Sequence, residues 1–246
     1  MTGEHVRIAI AIGLLAILML LRLQAQMFSA AEYDEPDEPN ARGIWTRLAW
    51  YGLALVLLFA IYKIHPQPHD VLYMVLGPKR EVLAFGLPLG LAGALLAAGV
   101  AMVRYGSFRL PAPRAYPNAA INSVATAVVD ELAFRAILQG MLLAAGLPNG
   151  SAILIQTVVY ALVTRSAAPS RPRSMLVMTV AMGLAFGWAT WSTGGIGAAI
   201  FAHCLTTFAL FIFTGHSGHV AARGEEPEEV EAIHHPEGWV RVPRAR

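Results

Sequence analysis

The sequence predicts an all-α fold, a polytopic membrane bundle of about seven transmembrane helices. Three observations predict it. Of 246 residues, 56% are hydrophobic and only 14% are charged, against about 25% charged in an ordinary soluble domain. The apolar residues form long runs separated by short polar loops, the pattern of repeated spans rather than of one aqueous core. The formal net charge is only +2, and most Lys and Arg sit in the loops, which fits membrane-flanking charge and not a nucleic-acid stripe.

The spans follow in order as 6–23, 44–62, 82–103, 119–146, 151–165, 174–192 and 195–214. Several fall short of the ~20 residues of a perpendicular crossing, and the fifth is the weakest. The first run, Ile8 to Leu21 between Arg7 and Arg22, lacks a small-residue cleavage site and reads as a retained helix rather than a signal peptide. The link Ser29 to Gly43 is acidic and interrupted by Pro36 and Pro39, hence a solvated loop. Val71 to Leu76 is a short apolar piece that reads as interfacial or re-entrant. The Glu-rich tail after Gly215 is polar; its His216, His219, His234 and His235 read as solvated residues. Cys204 is the only cysteine, which excludes an intrachain disulfide. Loop Lys and Arg residues place the N-terminus outside and the C-terminus in the cytoplasm.

Ionisable groups within a bilayer are expensive and mark function. Only the fourth span carries acids near its middle. Helical spacing puts Asn122, Thr126 and Asp130 on one stripe and Glu131, Arg135 and Gln139 on an adjoining one. Glu131 and Arg135 stand four apart with the acid first, the favourable order for an intrahelical ion pair. Asp130 has no such local partner and is the candidate reactive carboxylate. The fifth span repeats the pattern with Gln156, Tyr160 and Thr164. The seventh holds His203, the one histidine in an apolar run, with Thr207 a turn later. Buried polar residues of these kinds also serve as interhelical clamps, so the residues alone leave both readings open. One histidine beside two adjacent carboxylates, which diverge by about 100° on a helix, is a poor catalytic metal set. No metal and no cofactor is expected.

The order Asp130-Glu131-x-x-x-Arg135, Tyr160-x-x-x-Thr164 and a Gly-rich approach from Gly183 through Gly187 to His203-x-x-x-Thr207 resembles the CAAX-protease and bacteriocin-processing (CPBP) family of intramembrane glutamic endopeptidases. The family pattern is Glu-Glu-x-x-x-Arg, Phe-x-x-x-His and His-x-x-x-Asn. The resemblance implies that Asp130 stands where a Glu, aided by a histidine, activates water. It implies that Glu131 pairs with Arg135, that Thr164 stands at the middle histidine, and that His203 and Thr207 flank the oxyanion. Three substitutions bear on chemistry. Asp in place of Glu withdraws the carboxylate by roughly 1.5 Å. Thr164 orients water but is no base near neutral pH. Thr207 retains a donor where the family has Asn.

Three functions are compatible with this pattern. The first is a CPBP-like endopeptidase of altered, reduced activity acting on membrane-associated peptides or prenylated proteins. The second is an inactive relative acting as a membrane scaffold, and the third is a small-solute transporter. The expected partners are membrane lipid and a peptide or protein substrate, in the cell membrane, with no nucleic acid. The expected organisation is N-terminal helices and loops over 1–118, a protease-like core over 119–214 and a polar tail over 215–246.

Overall fold

A computed structural model describes residues 3–28, 41–106, 108, 116–167 and 173–214. Residues 29–40 of the acidic link and the polar tail lie outside these residues, whereas 41–43, expected in the link, are already helical. The long helices are α1 (Gly3–Leu23), α2 (Ala41–Ile64), α4 (Lys79–Tyr105), α7 (Asn149–Ala167), α8 (Arg173–Thr193) and α9 (Gly197–Thr214). A short α3 (Pro68–Val71) precedes α4. Between α4 and α7 one rod combines α5 (Tyr116–Asp130), a π-helical segment (Glu131–Leu138) and α6 (Gln139–Ala144). Six helices are long and apolar enough to cross a membrane, and the composite rod occupies the place of the expected fourth span. The chain is a multi-pass membrane protein.

Helices form because each apolar run must satisfy its own backbone hydrogen bonds where water is absent. Leucines and β-branched residues crowd the outer faces: Val56 and Phe59 of α2 and Leu91 and Leu95 of α4 are exposed, as suits contact with lipid. Small residues line the inner faces, with Ala54, Ala97, Ala101, Ala198 and Ala202 fully buried. The helix hydroxyls bond backward: Thr179, Thr193, Thr206 and Thr214 donate to carbonyls four residues earlier, which removes a polar group from lipid.

Helices α4 and α9 approach most tightly along a glycine seam. A Cβ added at Gly90 would lie 2.6 Å from Leu205 Cδ1, and one at Gly93 would collide with Thr206. Such seams let backbones close in where no hydrophobic drive separates helix from lipid.

Two apolar clusters result. One joins α1, α2, the composite rod and α7 through Leu18, Trp50, Leu58, Phe134 and Tyr160. The other joins α4, α8 and α9 through Ala97, Met178, Phe186 and Leu210. The π segment contributes Ala133, Phe134 and Ile137 to the first cluster.

The stretch after α2 folds in against the bundle. Tyr73 N–H donates to Ala136 O at 3.3 Å, Ile196 N–H to Val75 O at 2.9 Å and Gly197 N–H to Leu76 O at 3.1 Å. Val71–Leu76 therefore lies against the π segment and the start of α9. Gly77 at φ 79° and Gly194 at φ 67° turn the chain on either side of this pairing.

Candidate active site

The composite rod supplies two acids that face opposite ways. Asn122 and Thr126 of α5 look toward α2, where the Tyr51 hydroxyl lies 2.7 Å from each of their oxygens, Asn122 Oδ1 and Thr126 Oγ1. Asp130 continues that stripe and meets α1. Arg22 Nε donates to Asp130 Oδ1 at 3.0 Å and Arg22 Nη2 to Oδ2 at 3.1 Å. Trp50 covers this pair, with its ring centroid 5.9 Å from the Arg22 guanidinium carbon and its indole N–H donating to Leu21 O. Asp130, expected to lack a local partner, has a distant one.

Glu131 turns the other way. Its Oε1 lies 2.7 Å from His203 Nδ1 and 3.2 Å from Arg135 Nη1, and all three side chains have zero exposure. The Glu131–Arg135 pair anticipated from the spacing is present. Its Oε2 is buried and has no hydrogen-bond partner among the described residues. With a carboxylate as acceptor, Nδ1 is the ring nitrogen that carries hydrogen. Asp130 and His203 thus turn to different neighbours, and Glu131 is the group that links the acidic pair to α9.

The π geometry begins at Glu131. Its wider turn, with i→i+5 bonding, changes the angular register relative to α5 and recurs at functional sites. The two predicted stripes therefore face separate partners: Asn122, Thr126 and Asp130 meet α1 and α2, while Glu131, Arg135 and Gln139 meet α7, α8 and α9. Arg135 lies over the Tyr160 ring, with its guanidinium carbon 4.2 Å from the centroid, and 5.9 Å from that of Phe186. Such stacking stabilises a desolvated cation. Gln139 Nε2 donates to Gly187 O at 3.0 Å, and Gln156 Nε2 to Gly183 O at 2.8 Å. The glycines permit this approach, since a Cβ at Gly187 would lie 2.6 Å from Gln156 Nε2.

The remaining predicted residues are less directly engaged. Thr164 is buried on α7, and its hydroxyl has no hydrogen-bond partner among the described residues. Thr207 donates to His203 O at 2.9 Å and approaches Cys204 O at 3.2 Å, so its hydrogen is committed to its own helix. Among the described residues no three His, Cys, Asp or Glu side chains gather as metal ligands. Sequence reasoning missed Arg22, Trp50 and Tyr51. The one available signal is a basic residue closing an apolar helix, which in sequence reads as a flanking charge.

Residues 112–209 match the family model for type II CAAX prenyl endopeptidase Rce1-like proteins. This segment is CAAX-protease-like. No curated protein and no solved structure gives a further match. The CAAX-protease-like segment runs from α5 into α9 and contains Asp130, Glu131, Arg135, Thr164, His203 and Thr207, whereas Arg22, Trp50 and Tyr51 lie before it. A CAAX-protease-like membrane peptidase is the class of protein that this match supports.

Proposed function

We propose that the chain is an intramembrane endopeptidase acting on membrane-associated peptides or prenylated proteins, with its chemistry centred on Glu131 and His203. The observation that carries this reading is a buried carboxylate anchored through one oxygen to an imidazole and a guanidinium, while its other oxygen accepts nothing from the described residues.

Such a carboxylate is suited to general-base work. Glu131 Oε2 takes a proton from a water molecule as the water oxygen adds to the scissile carbonyl carbon. The carbonyl π electrons move onto its oxygen. When the tetrahedral species collapses, the C–N bond breaks and the proton passes from Glu131 to the departing amine. His203, hydrogen-bonded through Nδ1, fixes the direction of the carboxylate. Arg135 compensates its negative charge on the other side. Turnover is reduced relative to a full catalytic set, because Thr164 is no base and the Thr207 hydrogen is already committed.

A second reading, an inactive membrane scaffold, is favoured by that commitment of Thr207 and by the clamping of Asp130. One experiment separates the two. The purified protein in proteoliposomes is incubated with a reporter library of plain and prenylated peptides, beside Glu131→Gln and His203→Ala. Cleavage by the wild type that both substitutions abolish supports the peptidase. No cleavage by the wild type, with intact folding, leaves the scaffold reading standing.

A further inference from the structure

We infer that Arg135, Gln139, Gln156 and Thr190 hold buried water inside the bundle, and that this internal store supplies the water consumed in peptide hydrolysis. The supply role rests on the endopeptidase reading above; the hydration itself stands on the geometry of these four side chains.

Three elements build the site. On α8, Gly183, Gly187 and Thr190 stand at i, i+4 and i+7 and share one stripe. That stripe faces Gln156 of α7 and Gln139 of the composite rod, whose Nε2 groups donate to Gly183 O and Gly187 O at 2.8 and 3.0 Å. A Cβ built on Gly187 would lie 2.6 Å from Gln156 Nε2 and 3.0 Å from Gln139 Oε1, so both amides converge on one glycine. Arg135 follows a turn away, four residues before Gln139 on the rod. Its guanidinium carbon is 4.2 Å from the ring centroid of Tyr160, four residues after Gln156, and 5.9 Å from that of Phe186, next to Gly187.

The four side chains have zero exposure, yet each keeps hydrogen-bonding capacity unused. Gln139 Oε1, Gln156 Oε1, Thr190 Oγ1 and Arg135 Nε and Nη2 have no hydrogen-bond partner among the described residues. Buried polar groups are in the great majority paired, with protein or with ordered water. Thr179 and Thr193 of the same helix donate to carbonyls four residues back, whereas the Thr190 hydroxyl makes no such bond. Turning either amide over does not resolve the set, because Oε1 would then face the glycine carbonyl that its nitrogen now serves.

The mixture of unused groups identifies the occupant. Acceptors alone would suit a cation, and a guanidinium alone would suit an anion. Here the acceptors of two amides and a hydroxyl stand beside guanidinium donors, and a molecule that both gives and takes hydrogen bonds satisfies both kinds. Side chains one turn apart, about 5–6 Å, are spanned by one water through two bonds of about 2.8 Å. A buried water makes about three such bonds in all. Glu131 precedes Arg135 by one turn on the same rod, which places the store beside the candidate site.

The test reads water contact by NMR in protein carrying isotope-labelled glutamine in deuterated detergent, with Gln139→Leu and Gln156→Leu assigning the two side-chain amides. Thr190→Val replaces the hydroxyl by a methyl of the same shape and keeps the fold. Cross-relaxation from long-held water to both amides in the wild type, weakened in Thr190→Val, supports the hydration site. In proteoliposomes the same variant should lower kcat about fivefold at similar KM, as one ordered water is lost. Wild-type amides without water contact overturn the inference, and so do contacts that added sodium or chloride displaces, since the occupant is then an ion. Contacts weakened with kcat unchanged overturn the supply role. Water contacts in a wild type that cleaves nothing remove the endopeptidase reading and leave the hydration site supported.

Discussion

Arg22 and Asp130 stand 108 residues apart in the chain and share two hydrogen bonds inside the bundle. This contact ties the first helix to the segment that carries the candidate chemistry, and it sets a cation against a buried acid. Breaking one side of a buried ion pair costs about 3–5 kcal/mol, because the surviving charge loses that compensation in a desolvated site. Asp130→Ala and Arg22→Ala should each lower the unfolding midpoint in detergent strongly. Arg22→Met/Asp130→Asn should recover much of that loss. Equal destabilisation in all three, measured by thermal denaturation, would show that the pair contributes through packing instead.

Arg135 tests the second charge set. Its planar guanidinium stacks on Tyr160 at 4.2 Å while reaching Glu131. Lysine offers a point charge without the plane. Arg135→Lys should therefore lose about 2 kcal/mol of stability and cut peptide cleavage at least tenfold. Unchanged melting in this variant would place no weight on the stacking.

Tyr51 links two α5 side chains through one hydroxyl, which donates to Asn122 Oδ1 and shares a hydrogen bond with Thr126 Oγ1. Tyr51→Phe removes the hydroxyl while retaining the ring, leaving Asn122 Oδ1 and Thr126 Oγ1 without that contact. A buried polar group left unpaired costs about 1–3 kcal/mol. The expected outcome is a loss of that size with kcat nearly intact, read from paired denaturation and activity measurements.

The α4–α9 seam has no room at Gly93, where an added Cβ would meet the Thr206 side chain. Gly93→Val should destabilise by about 2–3 kcal/mol through overpacking, and Gly93→Val/Thr206→Gly should regain part of it. Independent, additive effects of the two substitutions would contradict the contact.

His65, just beyond α2, gives a pH prediction. Burial, with Arg7 nearby, lowers its pKa below the ordinary histidine value of 6.5, and Gln67 N–H donates to its Nδ1 at 3.2 Å. The folded state therefore favours the neutral ring. This contribution is fully present above the unfolded value and declines as pH falls below about 6.5, where the unfolded chain gains a proton that the folded chain resists. His65→Gln should flatten the stability profile between about pH 6.5 and 5. A profile identical to that of the wild type would remove His65 as its source.

The spans were legible because lipid imposes a requirement that each apolar run answers locally. Even the weak fifth run becomes the 19-residue helix α7. The Val71–Leu76 piece was legible as non-spanning from its length. The Glu131–Arg135 pair followed from four-residue spacing, and the buried His203 from its apolar setting. Arg22 was not legible in the same way: a basic residue at the end of an apolar run ordinarily faces headgroups, and nothing local distinguishes it from one that folds inward.

By itself, the sequence determined the all-helical membrane architecture and the residues that carry charge into it. Both are local consequences of hydropathy and helical period. Tertiary structure decided which acid meets which base. A π segment beginning at Glu131 and the arrival of α1 against α5 send neighbouring carboxylates to opposite partners. Those outcomes depend on helix rotation and on contacts more than a hundred residues apart, and periodicity along one helix carries no record of either.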